Sequence, residues 1–313
     1  MDHINLFQTN VEFLSAYTND YVEPWVSFTM ENSGMSFNKS VQPHDYSQDY
    51  LTFEVISGGT ISSLVDGVLL SKDNGENWDT EITGLTSGDK VIAKGNVHQF
   101  GGNSEASFDF GDTRINVCGN IMSIYDSQNF RTITALNYVD SFEYLFLFGI
   151  QIISAENLVL PATTLSRSCY CAMFQGCTSL TTAPVLPAAT LAEKCYTGMF
   201  SDCSSLTSAQ ELPATTLASE CYSSMFYGCT SLTTAPELPA TTLTNYCYRD
   251  MFNGCRSLNY IKCLATDISA NDCTANWING VAATGTFVKN PNMSSWTTGT
   301  GGIPTNWTVE DAS

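Results

Sequence analysis

The most regular feature of this sequence is where its apolar residues fall in residues 160–263. Four consecutive blocks of 26 residues align without a gap: LPATTLSRSCYCAMFQGCTSLTTAPV (160–185), LPAATLAEKCYTGMFSDCSSLTSAQE (186–211), LPATTLASECYSSMFYGCTSLTTAPE (212–237) and LPATTLTNYCYRDMFNGCRSLNYIKC (238–263). A fixed interval of this length marks one supersecondary unit repeated along the chain. A fifth, decaying copy starts at Leu264 and keeps Cys273 and Trp277-Ile278. An imperfect early copy places Leu145-Phe146, Ile152 and Ala155 in the corresponding positions.

Fixed and free positions separate interior from surface. Leu165, Leu191, Leu217 and Leu243 recur, as do Met173-Phe174, Met199-Phe200, Met225-Phe226 and Met251-Phe252, and then Leu180, Leu206, Leu232 and Leu258. Such positions are expected to stack from one repeat to the next as a continuous apolar spine. Ser166-Arg167-Ser168, Ala192-Glu193-Lys194, Ala218-Ser219-Glu220 and Thr244-Asn245-Tyr246 vary freely in size and charge, which implies solvent. Each repeat is expected to hold one short strand, as in 232–238, and one short helix or turn. Cys221, Met225 and Phe226 have the spacing of one helical turn, and Gly176, Gly228 and Gly254 stand where a glycine ends it.

The pattern LPxTTLxxxCYxxMFxGCTSLTxAPx resembles the BspA-like branch of leucine-rich repeats, over roughly residues 145–290. That family occurs on surface proteins of gut and oral anaerobes and in phages that infect them. The resemblance implies a curved β-solenoid used for adhesion or scaffolding, without catalysis. The ending GTFVKNP…WTTGTGGIPTNWTVED (285–311) is similar to the cap of such proteins, with Trp277, Trp296 and Trp307 expected to cover the last edge. The opening NLFQTNVEFLSAYTNDYVEPWVS resembles the starts of phage-encoded proteins that carry these repeats.

Upstream the pattern changes to short alternating runs: 50–56, 67–73, 89–95, 106–111 and 113–119, separated by glycine-rich turns. They predict a small β-sandwich-like or jelly-roll-like domain. Within it Ser71-Lys72-Asp73-Asn74-Gly75-Glu76-Asn77-Trp78 fits S-x-D-x-G-x-x-W, which resembles the Asp-box hairpin of sialidase propellers, a fold element and not a catalytic one. Before it, Thr9-Asn10-Val11-Glu12 has the capping-box form and predicts a helix at about 10–18. Residues 21–49 read as an extended arm. Leu6, Phe7, Phe13 and Trp25 are each worth roughly 1.5–3 kcal/mol when buried, so the arm is expected to dock. The expected organisation is therefore β-rich: a docking arm (1–49), a β-sandwich-like domain (50–125), a leucine-rich-repeat solenoid (126–284) and a cap (285–313).

Composition narrows the function. Only 14% of the residues are charged, and the formal net charge is −19. Residues 1–159 hold 21 acidic and 6 basic residues, and residues 160–313 hold 10 and 6, so the acidity belongs to the first half. Phosphate backbones and anionic bilayers would be repelled. No apolar run approaches the roughly 18 residues of a membrane helix. The opening Met1-Asp2-His3-Ile4-Asn5-Leu6-Phe7 has no secretory-signal pattern, so the expectation is either a signal already removed from this sequence or synthesis and retention in a cytoplasm, at least until lysis.

Twelve cysteines are present, nine of them in two ladders: Cys169, Cys195, Cys221, Cys247 and Cys273, then Cys177, Cys203, Cys229 and Cys255. Parallel Cβ vectors suit disulfides poorly, and neither a CxxC pair nor a histidine lies near; His3, His44 and His98 are elsewhere. Small buried apolar residues are the expectation. Tyr170, Tyr196, Tyr222 and Tyr248 form an aromatic row, either a binding face for glycan or protein or, by the stronger reading, rings packed along the convex side with hydroxyls in water. The Thr-Thr pairs are candidates for weak polar recognition.

Asp73, Glu76 and Asp79 are formal Ca²⁺ candidates more economically read as a solvated turn, and Asp109/Asp112 is a carboxylate pair of no diagnostic spacing. The sequons at Asn38, Asn292 and Asn306 carry weight only on secretion. No nucleophile, nucleotide-binding or metal motif is found, so neither cofactor nor catalytic or metal residues are expected. The expectation is a non-catalytic virion component of a phage, such as a head fibre, capsid decoration or tail-associated adhesion protein. The arm would join other virion proteins, the repeats would face host glycan or protein, and the assembly would be a homo-oligomer. A bacterial cell-surface adhesin is the alternative.

Overall fold

In the computed structural model, residues 27–31, 34–38, 44–100, 105–294 and 296–313 are described. The chain divides at His44/Asp45 into two units, five residues before the arm boundary expected at 49. In the first unit, β1 (Ser27–Glu31) pairs antiparallel with β2 (Gly34–Asn38), placing Phe28 opposite Phe37 and Met30 opposite Met35. A hairpin thus stands inside the stretch read as an extended arm. The expected helix at 10–18 and the residues Leu6, Phe7, Phe13 and Trp25 lie outside the described residues.

The second unit, Asp45–Ser313, is β-rich. Its first strands are β3 (Leu51–Ser57), β4 (Ile61–Ser63), β5 (Val68–Ser71), β6 (Glu81–Ile82), β7 (Lys90–Gly95), β8 (Phe108–Asp109) and β9 (Arg114–Asn120), of which β3, β5, β7, β8 and β9 fall where alternation placed them. The two very short strands β4 and β6 escape the sequence pattern. One sheet runs β9-β3-β7-β5, all antiparallel, and a smaller one runs β6-β4-β8. They meet through aromatic rings: Phe53 of the first lies 5.0 Å from Phe108 of the second, edge to face.

The expected boundary at 125/126 is not a break in the core. Phe53 contacts Phe146, and Phe146 stacks on Phe174, so one apolar interior passes from the sheets into the repeats. The backbone passes as well: β9 pairs in parallel with β10 (Ile152–Ser154) and β11 (Leu158–Val159).

From β10 a parallel ladder continues one residue per repeat, Ser154 to Thr182 to Ser208 to Thr234 to Tyr260. Full strands return only at β12 (Tyr260–Cys263), followed in parallel by β13 (Thr286–Lys289) and β14 (Thr308–Asp311). Proline explains the difference in the first and third repeats, whereas Ser208-Ala209-Gln210 of the second has none and bridges only to these two. Thr182-Ala183-Pro184 and Thr234-Ala235-Pro236 lose an amide donor just past the bridging residue, so the ladder cannot lengthen. Tyr260-Ile261-Lys262-Cys263 has no proline and forms a strand.

The expected helical turn is not a helix. In each repeat the backbone enters the left-handed region every fourth residue: Ser168, Ala172 and Gly176; Lys194, Gly198 and Asp202; Glu220, Ser224 and Gly228; Tyr246, Asp250 and Gly254. Alternate amides close short turns, as Cys171 N–H does on Ser168 O, while those between them donate to the next layer, as Tyr170 N–H does to Cys195 O and Phe174 N–H to Met199 O. A helix would have kept every amide within the segment. This run of turns, facing the neighbouring layer with half its donors, fixes the layer spacing.

Candidate binding surface

The four tyrosines of the aromatic row are among the most buried residues of the protein. Tyr170, Tyr196, Tyr222 and Tyr248 are 0–1% exposed, and each ring stacks on the next at 5.7–6.2 Å. This corrects both readings made from sequence: the row is not a binding face, and its hydroxyls do not reach water as expected. Tyr170 and Tyr196 bury their hydroxyls with no hydrogen-bond partner. Burial pushes all four phenols well above their ordinary value. The reason is geometric. Turns of four residues point adjacent pairs, Tyr170 with Cys169 and Phe174 with Met173, into the same interior, so these rings are not left at the rim.

Eleven of the cysteines are buried, Cys171 is half-buried, and all twelve are unpaired. The second ladder has a definite role. Cys177, Cys203, Cys229 and Cys255 each donate a thiol hydrogen bond at 3.0–3.1 Å to the carbonyl of Phe146, Phe174, Phe200 and Phe226, one layer back. Burial pushes the Cys177 and Cys255 thiols up to about 12, far from a reactive thiolate.

The Asp-box residues close a tight turn. Asp73 accepts from Asn77 N–H, from the Asn77 amide and from the Ser71 hydroxyl; these bonds bring its carboxyl down to about 2. Trp78 Nε1 donates to Gly75 O, and Lys94 Nζ sits 3.8 Å over the Trp78 ring. Every element here serves the turn. Among the described residues no three His, Cys, Asp or Glu side chains are grouped to hold a metal ion. No described helix is long and apolar enough to cross a membrane.

What remains for recognition is surface. Thr181, Thr207 and Thr233 are exposed beside the parallel ladder. An apolar groove of about 410 Å³ lies where the sheets meet the repeats, between Leu64, Phe108, Phe110 and Phe148. Glu105 and Asp109 border it; Asp112 does not. Phe148 is 65% exposed with a left-handed backbone (φ 55°), in the column where Gly176 and Gly228 stand in later layers. A second groove, of mixed polar and apolar lining, crosses the turn face. No family model, curated protein or solved structure matches this chain.

Proposed function

We infer that the protein is a non-catalytic display scaffold, a leucine-rich-repeat-type solenoid of the BspA-like kind, whose task is to hold a surface in a fixed orientation as a phage virion component. The observation that carries this reading is the uninterrupted column of stacked layers. From Phe142 through Tyr170, Tyr196, Tyr222 and Tyr248 to Trp277, each ring rests on the next, and the side chains with chemistry to offer are spent on packing. Phenols and thiols held protonated in a dry interior cannot serve as nucleophiles or bases. Twelve unpaired cysteines favour folding in a reducing compartment, as for a particle assembled inside a cell. The net charge of −19 disfavours nucleic acid as the partner.

On this reading the first unit anchors the protein to other virion proteins and the second is displayed. Mass spectrometry of purified particles is the test. The protein should co-purify with the particle at fixed stoichiometry, and deleting residues 1–44 should abolish incorporation while the melting transition of Asp45–Ser313 persists. Absence from particles, with recovery from a bacterial surface fraction, would favour the adhesin reading instead.

A further inference from the structure

The second repeat departs from the others at two backbone positions, and the departure coincides with the second groove. The first position is occupied by Ala172, Gly198, Ser224 and Asp250 in successive repeats. The second, four residues on, is occupied by Gly176, Asp202, Gly228 and Gly254. All eight have positive φ. In the second repeat alone, glycine stands at the first position and a side chain at the second. Crowding does not require this: a Cβ on Gly198 would meet nothing closer than 4.0 Å, and Ala172 and Ser224 carry one in the layers on either side. Backbone strain does not decide it either, because the left-handed side chain that Asp202 adds is the one that Gly198 removes, and the total at these two positions stays at one per repeat.

The exchange changes the shape and charge of the surface, and it also lays the Asp202 side chain over Gly228 of the next layer, where a Cβ would collide with Asp202 Oδ1. The groove, of about 390 Å³, runs across four layers from Tyr144 to Tyr227, with Gln175, Gly198, Ser201 and Asp202 between. Gly198 lowers its floor, and Asp202, exposed beside Ser201, puts a carboxylate into it. The two rings lie three layers apart, roughly 15 Å. Tyr227 is 41% exposed. The volume is that of a small-molecule site.

The chemistry selects a class of ligand. Asp202 repels anions. A single carboxylate is too few for a hard cation, which takes six or more oxygen ligands. An apolar ligand would strip water from Gln175 and Asp202 without replacing their hydrogen bonds. A neutral, hydroxyl-rich chain suits all of it: paired hydroxyls donate to the carboxylate, others bond the Gln175 amide, and the C–H faces of the end units rest on aromatic rings. We propose that the groove between Tyr144 and Tyr227 is a subsite for a short neutral oligosaccharide, read by Asp202. The proposal rests on the display reading and deepens it by naming what the displayed surface holds.

Calorimetric and saturation-transfer NMR titration of the full chain with maltotriose, cellotriose and triacetylchitotriose tests it. At least one trimer should bind saturably, and D202G and Y227A should each weaken it about tenfold or more, the scale of a lost hydrogen bond to a charged group or a lost aromatic contact. D202G restores the glycine of the neighbouring repeats, so its melting temperature should not fall; loss of binding then cannot be blamed on unfolding. No saturable binding of any trimer, or binding indifferent to both variants, overturns the proposal, as does Ca²⁺ binding that D202G abolishes while no sugar binds. Failure here with particle association intact removes the groove and leaves the scaffold; sugar binding by a protein absent from particles does the reverse.

Discussion

The thiol of Cys229 donates to the carbonyl oxygen of Phe200, 3.1 Å away and one layer back. That oxygen also accepts the amide of Cys203 in its own layer. The cysteine therefore acts as a rivet between layers, and serves neither as a redox group nor as a metal ligand. Because Phe200 O keeps one partner when the thiol is removed, the acceptor is not orphaned, and the cost of C229A should come mainly from the lost sulfur volume. It should be modest, about 1–2 kcal/mol. Urea unfolding of the variant measures it. A loss above about 4 kcal/mol would mean that the thiol does more than bridge two layers.

The buried hydroxyl of Tyr196 has no partner, while its ring stacks on Tyr170 and Tyr222 at 5.7 and 5.8 Å. The two halves of the side chain therefore act in opposite directions. Y196F removes a stranded polar atom and keeps both stacking contacts, so stability should hold or rise, by up to about 1–3 kcal/mol. Y196L destroys the stack and should lose several kcal/mol. Thermal melts of the pair decide it; a clearly destabilised Y196F would reveal a hidden partner for the hydroxyl.

The column of rings was legible in the sequence, while the fate of the hydroxyls was not. A 26-residue period states that Tyr170, Tyr196, Tyr222 and Tyr248 are equivalent, but not how far the chain around them closes over their tips. The turn segment failed for a related reason. Pairs at Cys169-Tyr170 and Met173-Phe174, then Cys177, repeat every four residues, and over nine residues a period of 4 is hard to tell from the helical 3.6. Left-handed residues such as Ser168, Lys194 and Glu220 give no signal in their side chains. At Pro184 and Pro236 the ladder shrinks to single bridges, a break that the missing proline amide marks in the sequence itself. The two grooves depend on residues brought together from different layers, Tyr144 with Tyr227 and Leu64 with Phe148, and no local pattern announces such a meeting.

Alkaline pH should unfold the repeats cooperatively. Burial raises the Cys177 thiol from an ordinary 9.0 to about 12, and the Cys169, Cys247 and Cys255 thiols similarly; the four stacked phenols also move up. A folded value above the unfolded one means that the unfolded chain releases its protons first. The contribution of these groups is fully present below about pH 9 and is lost as pH rises from there towards 12. Melting temperature should be flat between pH 7 and 8.5 and fall progressively above 9. A thiol reagent at pH 8 should label few of the twelve cysteines until denaturant is added. Rapid labelling of the native protein would show that the layers open readily.

The last layer is closed by Trp277, and its removal is the most damaging single change expected. Its ring lies between Tyr248, at 6.2 Å, and Trp296, at 5.7 Å, and meets Phe287 edge-on. Its Nε1 donates to Gly302 O at 2.8 Å, which ties the final segment across the end of the stack. A repeat array exposes apolar surface wherever it stops, so the final layer needs a lid. In W277A the stack would lose a fully buried indole, at about 3–5 kcal/mol, and leave Gly302 O without that donor. Damage should spread from this end, since each layer is held by its neighbours. Hydrogen exchange should therefore show amides of 247–263 losing protection before those of 169–185. If protection fell uniformly along the chain, the layers would be unfolding as one cooperative block and not from the exposed end inward.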